Sequence, residues 1–268
     1  MKELSHLSDI FEAYDTFVVD LWGVMHNGVT LNPKAIEAVD QLLNYSKKIV
    51  FLSNAPRPSS KVINFLIKMN MNKKYLTNVI TSGEAAMHAI NKNKFGKTFF
   101  HLGPLRDTSV FEKVKDNKTD LENCDFILCT GLFDEHEKDI LYYKEFLKRH
   151  ISKKLICTNP DLIVHKGSIK ELCAGSIAKV FEELGGQVVY FGKPHKEVYN
   201  MCFSQGEKVL AIGDNLRTDI KGANNLNLDC IFISEGVHRE EYNNISELNS
   251  LLKKYKVKAN FFQKELKW

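Results

Sequence analysis

Two aspartates of this chain stand directly after apolar runs and have the chemistry of metal ligands or of a nucleophile. Asp20 follows Phe17-Val18-Val19, and Asp214 lies in Gly213-Asp214-Asn215 after the apolar residues 209–212. Carboxylate oxygens are the ligands that a hard cation such as Mg²⁺ prefers, and such a cation keeps several of its waters. We therefore expect a Mg²⁺ site near these two carboxylates.

Groups that suit a phosphate follow two further turns of the chain. Ser53 and Asn54 come after the apolar residues 49–52, and a hydroxyl and backbone amides there can donate hydrogen bonds to phosphate oxygens. Lys193, in Gly192-Lys193-Pro194, is a point charge that can neutralise a phosphate and a nucleophilic carboxylate. Asp219 follows Asp214 by five positions. Together these residues indicate phosphate chemistry.

Alternating strands and helices at both ends of the chain must position these residues. This rhythm is typical of parallel βαβ units, in which ligands bind beyond the carboxyl ends of the strands. An amphipathic helix is predicted before them, from the spacing of Leu4, Leu7, Ile10, Phe11 and Tyr14. The predicted strands are 16–19, 48–52, 208–212 and 230–233, and the predicted helices are 33–45, 59–69, 197–202 and 219–225.

The middle of the chain has strands and helices of its own, with no linker, repeat or low-complexity tract. This organisation predicts a domain inserted into a split α/β core. The division is residues 1–80 for the first part of the core, 81–190 for the inserted domain and 191–268 for the second part. The predicted elements of the insert are strands 99–102, 126–130 and 154–158, and helices 139–149 and 174–184.

Composition narrows the functional class. The net charge of +4 is too balanced to indicate a nucleic-acid partner, and no apolar run reaches the roughly 18 residues of a membrane span. Six cysteines without a CxxC pair are typical of reduced thiols, so we expect a cytoplasmic protein. Six lysines among the aromatic residues of 253–268 are interpreted as the solvent side of a closing helix and strand.

Four motifs in order resemble the haloacid dehalogenase superfamily of aspartate-nucleophile phosphohydrolases, and most of all its NagD-type branch, class IIA. The resemblance covers nearly the whole chain. It implies a Rossmann-like parallel-sheet core with an inserted α/β cap of the C2 type. The motifs are Phe51-Leu52-Ser53-Asn54, Thr158-Asn159-Pro160-Asp161 as a cap loop, Gly192-Lys193-Pro194 and Gly213-Asp214-Asn215-Leu216-Arg217-Thr218-Asp219-Ile220.

The resemblance also implies a role for each matching position. Asp20 corresponds to the nucleophile that forms an aspartyl-phosphate, and it also contacts the metal. Asp214 corresponds to a direct Mg²⁺ ligand, and Asp219 to an acid that supports the metal through water or hydrogen bonds. Trp22 stands where the family has its general acid/base, whose backbone carbonyl also binds the metal. The phosphate-binding residues implied are Ser53, Asn54 and Lys193.

Trp22 is the departure from the family pattern. An indole donates a hydrogen bond but takes up no proton, whereas general acid–base help is typically worth about 10²–10⁴ in rate. We therefore predict a phosphatase that is slow on poor leaving groups such as sugar alkoxides and favours acyl or aryl phosphates. His26, six residues after Asp20, is a candidate substitute acid, although a lone histidine there is more often a packing residue.

Alternative functions stay open at this point. The chain can be a catalytically weak protein that binds a phosphorylated metabolite for regulation, with Trp22 closing the pocket. A dehalogenase is a second alternative, but its chemistry needs no metal, and the segment from Asp214 to Asp219 argues against it. In the leading interpretation the binding partner is a small phosphorylated substrate, which cap residues near 158–161 and 174–176 select. The oligomeric state is open, and a homo-oligomer is one alternative.

Overall fold

In the computed structural model, which describes residues 1–268, the chain forms two parallel β-sheets and a separate β-hairpin. The strands are β1 (Lys2–Glu3), β2 (Thr16–Val19), β3 (Lys48–Ser53), β4 (Val79–Thr81), β5 (Phe99–Leu102), β6 (Phe126–Cys129), β7 (Lys154–Cys157), β8 (Ile163–Lys166), β9 (Ile169–Leu172), β10 (Gln187–Tyr190), β11 (Val209–Gly213), β12 (Asp229–Ile233) and β13 (Phe261–Gln263).

Eight α-helices connect these strands, and none of them combines the length and apolarity needed to cross a membrane. They are α1 (Pro33–Asn44), α2 (Ser59–Lys68), α3 (Ser82–Asn91), α4 (Ile140–Leu147), α5 (Ala174–Glu183), α6 (Lys196–Tyr199), α7 (Lys221–Asn225) and α8 (Ile245–Tyr255).

The larger sheet has seven parallel strands in the order β1-β13-β12-β11-β2-β3-β4. Its interior strand β2, between β11 and β3, is buried along its whole length, as a strand covered by helices on both faces must be. The smaller sheet has four parallel strands in the order β10-β7-β6-β5, and β8 and β9 form the antiparallel hairpin. This confirms the predicted α/β class with a parallel-sheet core.

The two sheets use different parts of the chain. The seven-stranded sheet takes its strands from residues 2–81 and 209–263, and the four-stranded sheet from residues 99–190. The division into 1–80, 81–190 and 191–268 stays a proposal. The boundary after residue 190 falls at the end of β10, whereas the boundary after residue 80 falls within β4, whose last residue, Thr81, still pairs with Ser53 of the larger sheet. We call the larger unit the core and residues 81–190 the cap.

The predicted N-terminal helix is wrong. Two short 3₁₀ turns, Leu7–Asp9 and Phe11–Ala13, replace it, and Ile10 between them has φ −134°. The backbone of this segment bonds to the C-terminus instead, with Leu4 N donating to Phe262 O at 3.0 Å as β1 pairs with β13. The apolar side chains are buried as the spacing suggests, but tertiary strand pairing overrides the helical pattern.

Other predicted elements differ mainly in their bounds. The predicted helix 197–202 shortens to α6, and the predicted helix 219–225 starts earlier, as a π-helical turn Leu216–Ile220 that leads into α7. The C-terminal interpretation is confirmed, because α8 and β13 close the larger sheet. The hairpin of β8 and β9 was not among the predicted elements.

Leu155 in β7 tests how far the cap depends on its own apolar interior. Its side chain is fully buried in the apolar cluster of the cap, so Leu155→Ala is expected to lower the free energy of unfolding by about 2–5 kcal/mol. Leu141→Ala, at a position 71% exposed on α4 of the same domain, is the matched control and is expected to change it by about 0.5 kcal/mol at most. Urea denaturation measures both; equal losses would contradict the assignment of a cap interior.

Candidate active site

The strand order brings the chemically active residues to one edge of the larger sheet. Val19 of β2 pairs with Ile212 of β11 on one side and with Phe51 of β3 on the other. Asp20 and Asp214, each one residue beyond its strand, therefore emerge side by side. Ser53, the last residue of β3, lies at the same edge.

A glycine permits the close approach of these two strand ends. Gly23 has φ +91°, a conformation that favours glycine, and a Cβ atom built there would overlap the carboxylate of Asp214. The turn after Asp20 therefore depends on this glycine to bring the Asp214 carboxylate against it.

Lys193 is the positive centre of the site. Its ammonium Nζ lies 2.5 Å from Asp20 Oδ1 and 2.7 Å from Asp219 Oδ1, and it donates to the backbone carbonyl of Leu52 at 2.7 Å. The side chain is only 3% exposed. Burial by itself would lower the pKa of Lys193, but the two carboxylates raise it well above its ordinary value, so the ammonium is charged.

Asn54 holds the Lys193 backbone in place. Its Oδ1 accepts from the backbone amide of Lys193 at 2.8 Å, and its Nδ2 donates to the backbone carbonyl of the same residue at 3.3 Å. Both residues are buried. Because the Asn54 amide pairs with both backbone polar groups of Lys193, it fixes the backbone position from which the lysine side chain extends.

Three buried carboxylates form a cluster at this site, and two of them, Asp20 and Asp219, pair with the ammonium. One oxygen each of Asp20, Asp214 and Asp219 lies within 4.8 Å of the others. Burial and the neighbouring carboxylates raise the pKa of Asp20 and of Asp214, with Lys193 opposing the shift at Asp20. One ammonium does not balance three carboxylates, so a further positive charge suits the cluster. Ligands that are all oxygen suit a hard divalent cation, and the residues therefore fit Mg²⁺.

The three carboxylates differ in which oxygens already have donors. Asp219 has a partner on each oxygen, because Oδ1 forms an ion pair with Lys193 Nζ at 2.7 Å and Oδ2 accepts from the backbone amide of Asn215 at 3.1 Å. Asp214 Oδ2 accepts from the backbone amide of Val237 at 2.7 Å, and Asp20 uses Oδ1 for the ammonium. Asp20 and Asp214 thus each keep one oxygen for a further ligand, whereas Asp219 is committed to its donors.

The cap contributes a fourth carboxylate. Asp161, from the predicted cap loop, accepts at Oδ1 from Asn215 Nδ2 at 3.0 Å and from Thr218 Oγ1 at 3.1 Å. Burial raises its pKa to about 6, with Lys193 acting in the opposite direction. This loop was predicted to lie near the substrate, but no contact between the Asp161 side chain and the core was predicted. The sequence signal for Asp161 is its position in the Thr158-Asn159-Pro160-Asp161 motif.

Trp22 and His26 line the same cavity. The indole Nε1 of Trp22 donates to the backbone carbonyl of His165 in β8, at 2.8 Å. His26 is buried with its ring against Trp22 and Phe65, and its Nδ1 accepts from the backbone amide of Gly28 at 3.0 Å. Burial lowers the pKa of His26 to about 4, which leaves the ring neutral near neutral pH.

One cavity of about 910 Å³ contains every residue that the sequence analysis singled out for the site. Core and cap both line it, and they are joined at its wall by an ion pair between Arg57 Nε and Asp107 Oδ1. The singled-out residues that it brings together are Asp20, Trp22, His26, Ser53, Asn54, Lys193, Asp214 and Asp219.

Two parts of the cavity wall, Arg57 and the hairpin of β8 and β9, were not predicted from the sequence. Arg57 gave no signal beyond its place three residues after Asn54. The hairpin of β8 and β9 did, because two short runs that mix apolar and polar residues flank Gly167-Ser168, a dipeptide typical of hairpin turns.

Comparison with known proteins places both halves of the site in related families. A family model described as haloacid dehalogenase-like hydrolase matches residues 17–115, and one described as HAD-hydrolase-like matches residues 190–253. The first range contains Asp20 and Ser53, and the second contains Lys193 and Asp214. The chain is also 28% identical to a haloacid dehalogenase-like hydrolase from Brucella suis 1330, with a TM-score of 0.87 over 99% of this chain and 100% of that one.

Two curated relatives match most of the chain. The 5'-nucleotidase YutF of Bacillus subtilis is 23% identical over 244 residues, which cover 86% of this chain and 91% of the relative. The ribonucleotide monophosphatase NagD of Escherichia coli K12 is 23% identical over 232 residues, covering 82% and 87%. Both alignments are long enough to span core and cap together.

The contacts of His26 favour a packing role, and a substitution tests it. Because its pKa of about 4 keeps the buried imidazole neutral, His26→Gln is expected to leave the pH dependence of kcat/KM unchanged between about pH 5 and pH 8. The measurement is a pH–rate profile with p-nitrophenyl phosphate. Loss of one limb of that profile in the variant would instead make His26 a proton donor or acceptor in turnover.

Proposed function

The chain belongs to the haloacid dehalogenase-like hydrolases and is an enzyme of their phosphatase type, and we propose that it cleaves a small phosphorylated metabolite through a phosphorylated Asp20. The observation that carries the proposal is the ion pair between Lys193 Nζ and Asp20 Oδ1, at 2.5 Å in a cavity that opens between core and cap. A buried ammonium beside a carboxylate favours the ionised form of that carboxylate against the effect of burial, and it attracts the phosphate that the carboxylate attacks.

Mg²⁺ is the proposed cofactor. Asp20 and Asp214 would hold it through their remaining oxygens, together with the backbone carbonyl of Trp22. Asp219 would support it indirectly, because its oxygens are already paired, one in the ion pair with Lys193 and one with the backbone amide of Asn215. When bound, the ion supplies positive charge that screens the repulsion between the Asp20 carboxylate and the phosphate.

The proposed reaction has two displacements at phosphorus. A carboxylate oxygen of Asp20 attacks, the bond to the substrate oxygen breaks, and the leaving oxygen departs with its electron pair. Water then attacks the aspartyl-phosphate, the bond between phosphorus and the Asp20 oxygen breaks, and inorganic phosphate and the free carboxylate result. Lys193, together with Ser53 and the backbone amides that follow it, would bind the phosphate oxygens in both steps.

The leaving oxygen needs a proton when it departs as an alkoxide, and Trp22 has none to transfer. The indole N–H is already donated to the carbonyl of His165, and indole is a donor only. Aryl and acyl phosphates release weakly basic oxygens that need little protonation. We therefore propose that the enzyme prefers such leaving groups.

The physiological substrate is proposed at the level of class. A cavity of about 910 Å³ is large enough for a phosphorylated metabolite of drug-like size. Because the two curated relatives are named for nucleotides, nucleoside monophosphates belong in a substrate panel beside sugar and acyl phosphates. A cytoplasmic location is part of the proposal, since all six cysteines are free and buried.

A second candidate function is binding of a phosphorylated metabolite with little turnover. Trp22 favours it, because the indole occupies the place of the family's proton donor and lies against the cap. Retained Asp20 and Lys193 suit both functions. Steady release of phosphate by the unsubstituted protein separates catalysis from binding.

Asp20→Asn is expected to abolish phosphate release, because an amide is a far weaker nucleophile than a carboxylate. The variant keeps the size of the side chain but loses its negative charge. Asp116→Asn, at an exposed position of the cap, is the matched control and should keep full activity. A malachite-green assay with acetyl phosphate and Mg²⁺ measures both; turnover by Asp20→Asn at the unsubstituted rate would refute the nucleophile.

The leaving-group preference is tested by a ratio of rates. We expect kcat/KM for p-nitrophenyl phosphate to exceed that for a sugar phosphate by about 10²–10⁴, the typical worth of the missing proton transfer. Trp22→Asp, which restores a titratable carboxyl at this position, is expected to shrink the ratio. Equal rates on both substrates in the unsubstituted protein would show that another group protonates the leaving oxygen.

A further inference from the structure

The indole of Trp22 joins two domains that are far apart in sequence. It extends from the turn after β2, in the core, and its Nε1 donates at 2.8 Å to the carbonyl of His165, in strand β8 of the cap. An aspartate has no N–H to donate and a shorter side chain. Trp22 therefore puts, in place of the family's proton donor, a side chain that reaches the cap.

The surroundings of Trp22 are shaped to hold the ring in this position. Gly28 has φ +84°, and a Cβ atom built there would lie 2.5 Å from Trp22 Cζ2 and 3.2 Å from Lys166 Cγ. The ring of His26 meets the indole edge-on, with 5.1 Å between ring centroids. Any side chain larger than hydrogen at position 28 would displace either the indole or the hairpin above it.

Two backbone contacts at the hairpin turn strengthen the same junction. The amide of Gly167, between β8 and β9, donates to the carbonyl of Asn27 at 2.9 Å, and Arg239 Nη2 donates to the carbonyl of Gly167 at 3.5 Å. The hairpin thus contacts two separate segments of the core, the turn that holds Trp22 and Asn27 and the segment that holds Arg239. Trp22 supplies the contact nearest to Asp20 in sequence.

The hairpin forms part of the cavity wall. Residues of both β8 and β9 line the cavity that contains Asp20, so the distance between hairpin and core sets the room for the part of a substrate beyond its phosphate. The residues concerned are Ile163, Val164, Lys166, Ile169, Lys170, Glu171 and Leu172.

We propose that Trp22 is a positioning residue that latches the β8–β9 hairpin over the active site and thereby determines which leaving groups fit. The kinetic part of this inference rests on the proposed phosphatase function, whereas the latch itself does not. The indole takes no part in proton transfer; it acts through the hairpin.

Hydrogen–deuterium exchange of the hairpin tests the latch without any turnover. Trp22→Phe keeps an aromatic ring but removes the N–H, and amide exchange within residues 163–172 is expected to speed up by roughly 2- to 10-fold, the effect of one net hydrogen bond. Trp268→Phe is the matched control, because Trp268 packs on Phe11 and Tyr45 in the core and should leave hairpin exchange unchanged. Unchanged exchange in Trp22→Phe would overturn the latch.

Steady-state kinetics test the specificity. In Trp22→Phe the KM for p-nitrophenyl phosphate is expected to rise by roughly 2- to 10-fold, because its aryl group meets the displaced wall, while the KM for acetyl phosphate changes less. The apparent pKa values of the pH–rate profile should stay where they are, since indole carries no titratable proton in that range. Equal KM changes for both substrates, or a shifted pH profile, would overturn the specificity role.

Fluorescence gives a second measurement in case Trp22→Phe does not fold. Trp22 and Trp268 are the only tryptophans, so in Trp268→Phe all indole emission comes from Trp22. Because the hairpin covers this ring, quenching by acrylamide is expected to be several-fold weaker than for free N-acetyltryptophanamide. Quenching as strong as that of the free compound would contradict a ring held beneath the hairpin.

Discussion

The buried ammonium of Lys193 is the interaction on which the rest of the site depends. It lies between Asp20 and Asp219 at 2.5 and 2.7 Å, inside a cluster that also contains Asp214. Removing one partner of a buried ion pair typically costs about 3–5 kcal/mol, because a charge is left uncompensated. The core must therefore position Lys193 accurately. The Asn54 side chain does this by pairing with both backbone polar groups of Lys193. The same excess of carboxylates that needs the ammonium also fits a divalent cation.

Polar contacts attach the cap to the core beside this site. Asp161 bonds to Asn215 and Thr218 of the core, Asp107 pairs with Arg57, and the hairpin carbonyl of His165 accepts from Trp22. Each of these core residues lies within a few positions of a residue proposed to bind phosphate or metal. Substrate entry and cap position are thereby linked to the groups that would carry out the chemistry. In our proposal, Trp22 supplies no proton to the leaving group but holds the hairpin that lines the cavity.

Much of this arrangement could be predicted from the sequence, because parallel strands place their carboxyl ends at one edge. Asp20, Ser53 and Asp214 were predicted to converge for that reason, and they lie in one cavity. Contacts that depend on tertiary packing could not be predicted. The spacing of Leu4 to Tyr14 suits a helix, yet pairing of β1 with β13 imposes 3₁₀ turns. Likewise, nothing in the letters around Trp22 indicates a bond to a residue 143 positions away.

The central claim is that Asp20 accepts the phosphoryl group. The most direct measurement is acid quenching of the unsubstituted protein during turnover of ³²P-labelled acetyl phosphate with Mg²⁺, followed by peptide mapping of the label. The account predicts acid-stable, hydroxylamine-sensitive label on the peptide that contains Asp20 and none in Asp20→Asn. Label on another peptide, or equal label in the variant, would contradict it.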